Sequence, residues 1–238
     1  MRPIIISIEG NIGSGKSTIL EKLEADMKTN TTYTHVFLKE PVHIWESIVD
    51  PKTGENAIQK FYQDQTKYAF PFQVMAYASR VSLIREAIRT DNPMVIICER
   101  SLDADKHIFA KMLHADGKMD DICFQIYNQF YKEYMADVEL DGIVYIDADA
   151  EVCHERITKR SRIGESDIPL EYLQKCKSYH HAWLCTTKTQ VLNINANADV
   201  TYNKNNHSDL GNEWLERIKD FINEQVKERL QDDEWKNR

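Results

Sequence analysis

The sequence predicts an α/β fold in which five parallel strands are covered by helices on both faces. Two observations lead there. Short apolar runs rich in β-branched residues recur along the chain, separated by stretches with helical spacing, and that alternation builds a parallel sheet. The runs are also continuously apolar, as in Val95-Ile96-Ile97-Cys98, which suits strands buried on both faces.

Ile4 to Ile8 reads as the first strand, ended by Gly10, and Ser17 to Lys28 as a helix spaced through Ile19, Leu20, Leu23 and Met27. Further strands are expected at His35 to Leu38, at Met94 to Cys98 after the Asn92-Pro93 breaker, at Gly142 to Ile146 and at Gln190 to Ile194. Long helical stretches lie between them, among them the amphipathic Cys123 to Met135. The Asn- and Asp-rich stretch Asn197 to Asn212 is expected to be an exposed loop, and Asp209 to Leu230 a closing helix. No repeat, linker or low-complexity tract divides the chain, so residues 1–238 are expected to form a single domain.

Composition narrows the classes of function. A net charge of −8 lacks the broad basic field of a duplex nucleic-acid binder, so no nucleic acid is expected as a partner and any polyanion handled should be small. Five cysteines, an odd set without C-x-x-C spacing, read as reduced thiols. The apolar run Pro3 to Ile8 is too short to span a membrane, and no signal peptide, transit peptide or anchor is recognised. The expected location is cytoplasmic.

Gly10-Asn11-Ile12-Gly13-Ser14-Gly15-Lys16-Ser17, followed by Thr18, matches G-x-x-x-x-G-K-[ST] between a strand and a helix, where that motif belongs. Its glycines let backbone N–H groups curl around a phosphate, and the helix N-terminus adds positive potential. Lys16 would bridge β- and γ-phosphates, and the Ser17 hydroxyl could ligate Mg²⁺. The motif leaves ATPase, GTPase and kinase open. A guanine-specific N-K-x-D element is not matched by Asn203-Lys204-Asn205-Asn206, which lacks the aspartate. Lys39-Glu40-Pro41-Val42 and Glu99-Arg100-Ser101 follow the second and third strands, and a parallel sheet places both beside the phosphate loop. Glu40 could take a proton from an acceptor hydroxyl, and Arg100 could steady the moving phosphoryl group. Taken singly, each is equally readable as a surface salt bridge or a helix-start charge.

The chain carries, in order, Ile8-Glu9-Gly10-Asn11-Ile12, Glu40-Pro41-Val42 with Trp45, Phe72-Gln73 through Ser79-Arg80, Glu99-Arg100-Ser101, Ile108-Phe109 and Ile168-Pro169-Leu170-Glu171-Tyr172-Leu173. Together these strings resemble the deoxynucleoside kinase family, the deoxycytidine, deoxyguanosine and thymidine-2-type enzymes. The resemblance implies a P-loop kinase fold with a short lid of about residues 156–168, acting on a deoxynucleoside and a nucleoside triphosphate. It implies that Glu40 is the general base on the 5'-hydroxyl, that Arg100 is its partner, and that Glu99 holds magnesium through water. Tyr62 and Glu165 would hold the sugar 3'-hydroxyl and Gln73 would pair with the base, between walls of Phe72, Phe109, Trp45, Val42 and Ile58. Arg156, Arg160 and Arg162, the last just before Ile163-Gly164-Glu165, match the family's lid arginines; the first two share a helix face at i, i+4. Asp199 resembles a residue that touches the donor's base, and a homodimer is implied as well.

Family members that accept thymidine tend to carry Met and Ala where this chain has Arg80 and Asp105, with Ala76 one helical turn before Arg80. The charged pair leaves little room for a 5-methyl group and can hydrogen-bond an amino or keto group, so deoxycytidine or a purine deoxynucleoside is favoured over thymidine. A buried pair of this kind could instead be structural. Leu102-Asp103-Ala104-Asp105 and Asp167 depart from the family's usual pattern. Two other readings share the phosphate loop. One is a nucleoside monophosphate kinase of the thymidylate kinase kind, which would need further cations for the acceptor's own phosphate. The other is a nucleotide-binding regulatory subunit without turnover.

Overall fold

The computed structural model describes residues 2–27, 33–91, 94–135, 138–162, 164–165, 168–203, 205–206 and 208–236. Lys28, the Asn92-Pro93 breaker, Ile163 and Asp167 of the expected lid, and Lys204 lie outside these residues. In chain order the elements are β1 (Ile4–Gly10), α1 (Lys16–Met27), β2 (His35–Leu38), α2 (Val42–Ser47), α3 (Ala57–Gln63), α4 (Gln65–Asp91) and β3 (Val95–Glu99). There follow α5 (Leu102–Ala104), a π-helical turn (Asp105–Ala110), α6 (Lys111–Ala115), α7 (Asp121–Met135), β4 (Gly142–Asp147), α8 (Ala150–Arg160), α9 (Leu170–Leu184), β5 (Gln190–Asn195) and α10 (Leu210–Lys236).

The five strands form one parallel sheet in the order β2-β3-β1-β4-β5, as the sequence predicts. β1 is central and its seven residues are all buried. Successive side chains of a strand point to opposite faces, and the two faces carry two cores. Ile4, Ile6 and Ile8 pack with Val95, Ile97, Val144 and Ile146 beneath α1 and α10. Ile5, Ile96, Cys98 and Ile143 pack on the other face with Tyr77, Ile108, Tyr127 and Trp183. Each fully buried isoleucine contributes about 1.5–3 kcal/mol relative to an exposed one, so β1, β3 and β4 are held mainly by this two-sided burial, whereas β2 is half-buried and the edge strand β5 largely exposed. A smaller cluster of Trp45, Ile58 and Ala76 joins α2, α3 and α4 over the site described below.

Strand centres fall where the sequence places them, while β1, β3, β4 and β5 each run one or two residues further, to Gly10, Glu99, Asp147 and Asn195. α4 continues through Pro71, a residue that usually bends or ends a helix. The closing helix reaches Lys236, beyond the expected Leu230. All five cysteines are free. Among the described residues no helix is long and apolar enough to cross a membrane.

Gly142 opens β4 under α10, where an added Cβ would lie 2.9 Å and 3.0 Å from ring carbons of Phe221. Gly142→Ala should therefore lower unfolding stability by about 1–3 kcal/mol through overpacking. Chemical denaturation with an unchanged m-value is the check.

Candidate active site

The phosphate loop turns sharply from β1 into α1, and two of its glycines are required. Gly10 has φ 149° and an added Cβ would meet Ile146 O at 2.6 Å; Gly13 has φ 81° and would meet Cys153 O at 2.6 Å. Backbone conformation and close approach both exclude a side chain there. Asn11 ties the loop to α9 by donating from Nδ2 to Leu173 O at 2.9 Å. Lys16 Nζ donates to Asn11 O at 2.8 Å, and burial, then Arg100, pull its amine down to about 8. Ser17 Oγ donates to Glu99 Oε1 at 2.6 Å, which brings two hard oxygen ligands together at the start of α1 and the end of β3.

Beyond the loop lies a cluster of four charged groups. Arg80 on α4 donates from Nη2 to Glu40 Oε1 at 2.6 Å and from Nε to Asp105 Oδ2 at 2.8 Å. Arg100 Nε donates to the same Glu40 oxygen at 3.3 Å, and its guanidinium lies 4.6 Å from the centroid of the Phe109 ring. Burial alone would raise the Glu40 carboxyl, but Arg80, Arg100 and Lys16 together outweigh it and hold it at about 2. Asp105 and Phe109 both come from the π-helical turn, a distortion that often marks functional positions.

A flat aromatic-lined space adjoins this cluster. Phe72 stands 5.6 Å from Trp45 edge to face and 4.5 Å from Phe61 in a stack, ring centroid to centroid. Trp45 Nε1 is anchored on Ser79 Oγ at 3.0 Å. Gln73 Oε1 and Arg100 Nη1 are buried and without a hydrogen-bond partner among the protein's own described groups. Burial and then the nearby Glu165 carboxylate push the Tyr62 hydroxyl well above its ordinary pKa, so it stays a donor.

The three arginines behave differently from one another. Arg156 is fixed on the loop after β5, donating to Ala196 O at 2.9 Å, Ala198 O at 3.0 Å and Asp199 Oδ1 at 3.2 Å. Arg160 and Arg162 both fold onto Glu165, Arg162 Nη1 at 3.0 Å from Oε1. The expected lid thus begins inside a regular helix, with its first arginine bound elsewhere.

A single cavity of about 450 Å³ brings together all the sequence-derived site residues except Gly10 and Asn11, which shape the loop from behind. Its lining joins the loop residues Ile12, Gly13, Ser14, Gly15, Lys16, Ser17 and Thr18 with Val42, Ile58, Phe72 and Ala76 of the small apolar cluster and with Asp199 of the loop after β5. Sequence reasoning missed Phe61, Tyr172, Tyr202 and Trp214 in the lining. Tyr172 stands within one of the quoted strings, and its ring lies 6.1 Å from that of Tyr62. Tyr202 and Trp214 come from the Asn-rich loop and the closing helix, where an aromatic residue signals packing as readily as binding.

The sequence model of the deoxynucleoside kinase family matches residues 6–222. Individual proteins agree along nearly the whole length. The chain is 34% identical to a probable deoxycytidine kinase of Fowlpox virus (strain NVSL), over 92% of this chain and 88% of that one. It is 30% identical to the mitochondrial deoxyguanosine kinase of Xenopus laevis, over 91% and 89%, and 31% identical to the deoxycytidine kinase of Homo sapiens, over 91% and 90%. With its phosphate loop, paired carboxylates and arginines and aromatic slot in one cavity, the chain belongs to the deoxynucleoside kinase family.

Proposed function

We propose that this protein transfers the γ-phosphoryl group of ATP to the 5'-hydroxyl of a deoxynucleoside, in a single domain spanning residues 1–238. The observation that carries this reading is the position of Glu40. It lies between the phosphate loop and the aromatic slot, held by two arginines, where an acceptor hydroxyl would meet the triphosphate. The loop amides and Lys16 would cradle the triphosphate, while Arg160 and Arg162 would leave Glu165 to reach it. Ser17 and Glu99 fit magnesium, since a hydroxyl and a carboxylate suffice for an ion that arrives on phosphate and keeps its waters. Magnesium there would neutralise charge on the phosphate oxygens.

Held at about 2, Glu40 is a weak base. That suits a loose transition state, in which the hydroxyl proton leaves late and passes to the carboxylate as the phosphoryl group arrives. Glu40 would accept a hydrogen bond from the 5'-hydroxyl, while Arg100 Nη1 steadies the phosphoryl group. Tyr62 and Glu165 would hold the 3'-hydroxyl. Gln73 would pair with the base edge, with Phe72 and Phe109 on the ring faces. Arg80 and Asp105 at the slot's end favour a base carrying exocyclic amino or keto groups, deoxycytidine or a purine deoxynucleoside, over thymidine. Arg80 and Arg100, the cations beside the acceptor, are already engaged with carboxylates, which speaks against an acceptor that brings its own phosphate.

A homodimer is supported by α7, which exposes Ile122, Ile126 and Phe130 at helical spacing on one stripe. A cytoplasmic location is supported by five free cysteines and the absence of a membrane-length apolar helix among the described residues.

With ATP, Mg²⁺ and radiolabelled phosphate transfer as the assay, Glu40→Gln should cut kcat by about 10²–10⁴-fold while nucleotide binding persists. A regulatory subunit would show no turnover to lose. Replacing the specificity pair together, Arg80→Met with Asp105→Ala, avoids stranding one buried charge. The ratio of kcat/KM for thymidine to that for deoxycytidine should rise in this variant, although absolute rates fall because Glu40 loses a partner. In sedimentation analysis, Ile126→Glu should shift the protein from dimer to monomer.

A further inference from the structure

Glu9 is a buried carboxyl group to which the proposed reaction gives no part. It stands one residue before Gly10 on β1, fully sealed from solvent. Its Oε1 accepts the Ser101 N–H at 2.8 Å, and the adjacent carbonyl of Ile8 accepts the Arg100 N–H at 3.0 Å. β1 therefore grips two consecutive amides of the turn that follows β3, one by main chain and one by side chain.

That turn is unusual. Arg100 has φ 68°, in the left-handed region, which a residue other than glycine occupies only when its surroundings hold it there. From this conformation its guanidinium reaches Glu40 and covers the ring of Phe109. Ser101 in turn caps α5 by accepting the Ala104 N–H at 3.1 Å, and its carbonyl accepts the Asp105 N–H at 3.2 Å. The hydrogen bond that Glu9 accepts from the Ser101 N–H thus holds the arginine turn just ahead of the α5 cap.

We propose that Glu9 is a positioning residue for phosphoryl transfer, pinning the left-handed Arg100 turn through the Ser101 N–H so that the guanidinium stays on Glu40. This rests on the reading of Glu40 and Arg100 as the groups that act on the hydroxyl and the phosphoryl group. The position calls for reach and an acceptor more than for charge. Burial pushes the Glu9 carboxyl up to about 7 against the lowering influence of Arg100, Ser101, Ser7 and Lys16. Ser7, two residues earlier on the same strand face, lowers the carboxyl by a side-chain hydrogen bond, and its hydroxyl can turn to accept from the amide of a glutamine.

The test compares Glu9→Gln, which keeps length and acceptor, with Glu9→Asp, which keeps charge but is one methylene group shorter. Each is made alone and with Arg100→Ala, and kcat, both KM values and Tm are measured. Glu9→Asp should lower kcat by about 10-fold or more, since small misplacements of acting groups are costly. Nucleoside KM should change by less than about 3-fold, and Glu9→Gln should keep kcat within about 3-fold of the parent. In the Arg100→Ala background Glu9→Asp should cost nothing further. The proposal is overturned by an aspartate variant as active as the parent, by a glutamine variant as impaired as the aspartate one, or by a penalty that persists without Arg100. An Arg100→Ala variant with full kcat would instead overturn the assignment of Arg100, and the role of Glu9 with it.

Discussion

Two arginines and two carboxylates lie nearly out of water in one cluster, and burying such charges is costly unless every one is matched. Here the matching draws on four separate pieces of backbone: Glu40 after β2, Arg80 on α4, Arg100 after β3 and Asp105 in the π-helical turn. Arg80 spans the cluster, with Asp105 on one side and Glu40 on the other. If one of these segments is displaced, a charge is left unpaired in a poorly solvated place, so all four must take up their positions together. The catalytic geometry proposed for Glu40 is thus enforced by the same electrostatics that stabilise the fold around it.

The sheet prepares the ground for that cluster through a gradient along its strands. On the face covered by α4 and α9, β1 presents Ile5, then Ser7, then Glu9, and β4 presents Ile143, then Tyr145, then Asp147. β3 presents Ile96 and Cys98 and is followed by Arg100. Parallel strands all point the same way, so these polar ends gather at one edge, where open α/β sheets bind their ligands. The opposite face stays apolar much further along β1, through Ile4, Ile6 and Ile8, and serves as plain core.

The central strands β1, β3 and β4 were legible because buried parallel strands leave continuous β-branched runs that little else produces, and the edge strands β2 and β5 followed from shorter apolar runs at the expected places. The phosphate loop was legible because its glycines answer to backbone demands visible in the letters alone. Other features depend on tertiary context. Nothing local announces that Asp105 to Ala110 winds as a π-helix, or that α4 passes through Pro71 just before Phe72 and Gln73. Glu9 reads as one letter of a string; its burial and its grip on Ser101 appear only once β1 and β3 are paired. Tyr202 and Trp214 carry no spacing signal that separates a ligand wall from core.

The arginines show how the two ends of the cavity are linked. Gly13 packs against the backbone of α8 at Cys153, so the phosphate loop and α8 form one unit, and Arg156 anchors that unit to the loop after β5. α8 ends at Arg160 and is capped by Ser161, itself left-handed at φ 51° and ψ 41°, and among the described residues Arg160 and Arg162 on either side of that cap are bound to the Glu165 side chain. Their shared partner is Glu165, the group assigned to the sugar. On the proposed reading, a triphosphate competing for those two guanidinium groups would have to take them from Glu165, and a sugar hydroxyl on Glu165 would have to share it with them, so that donor and acceptor would meet at one ion cluster.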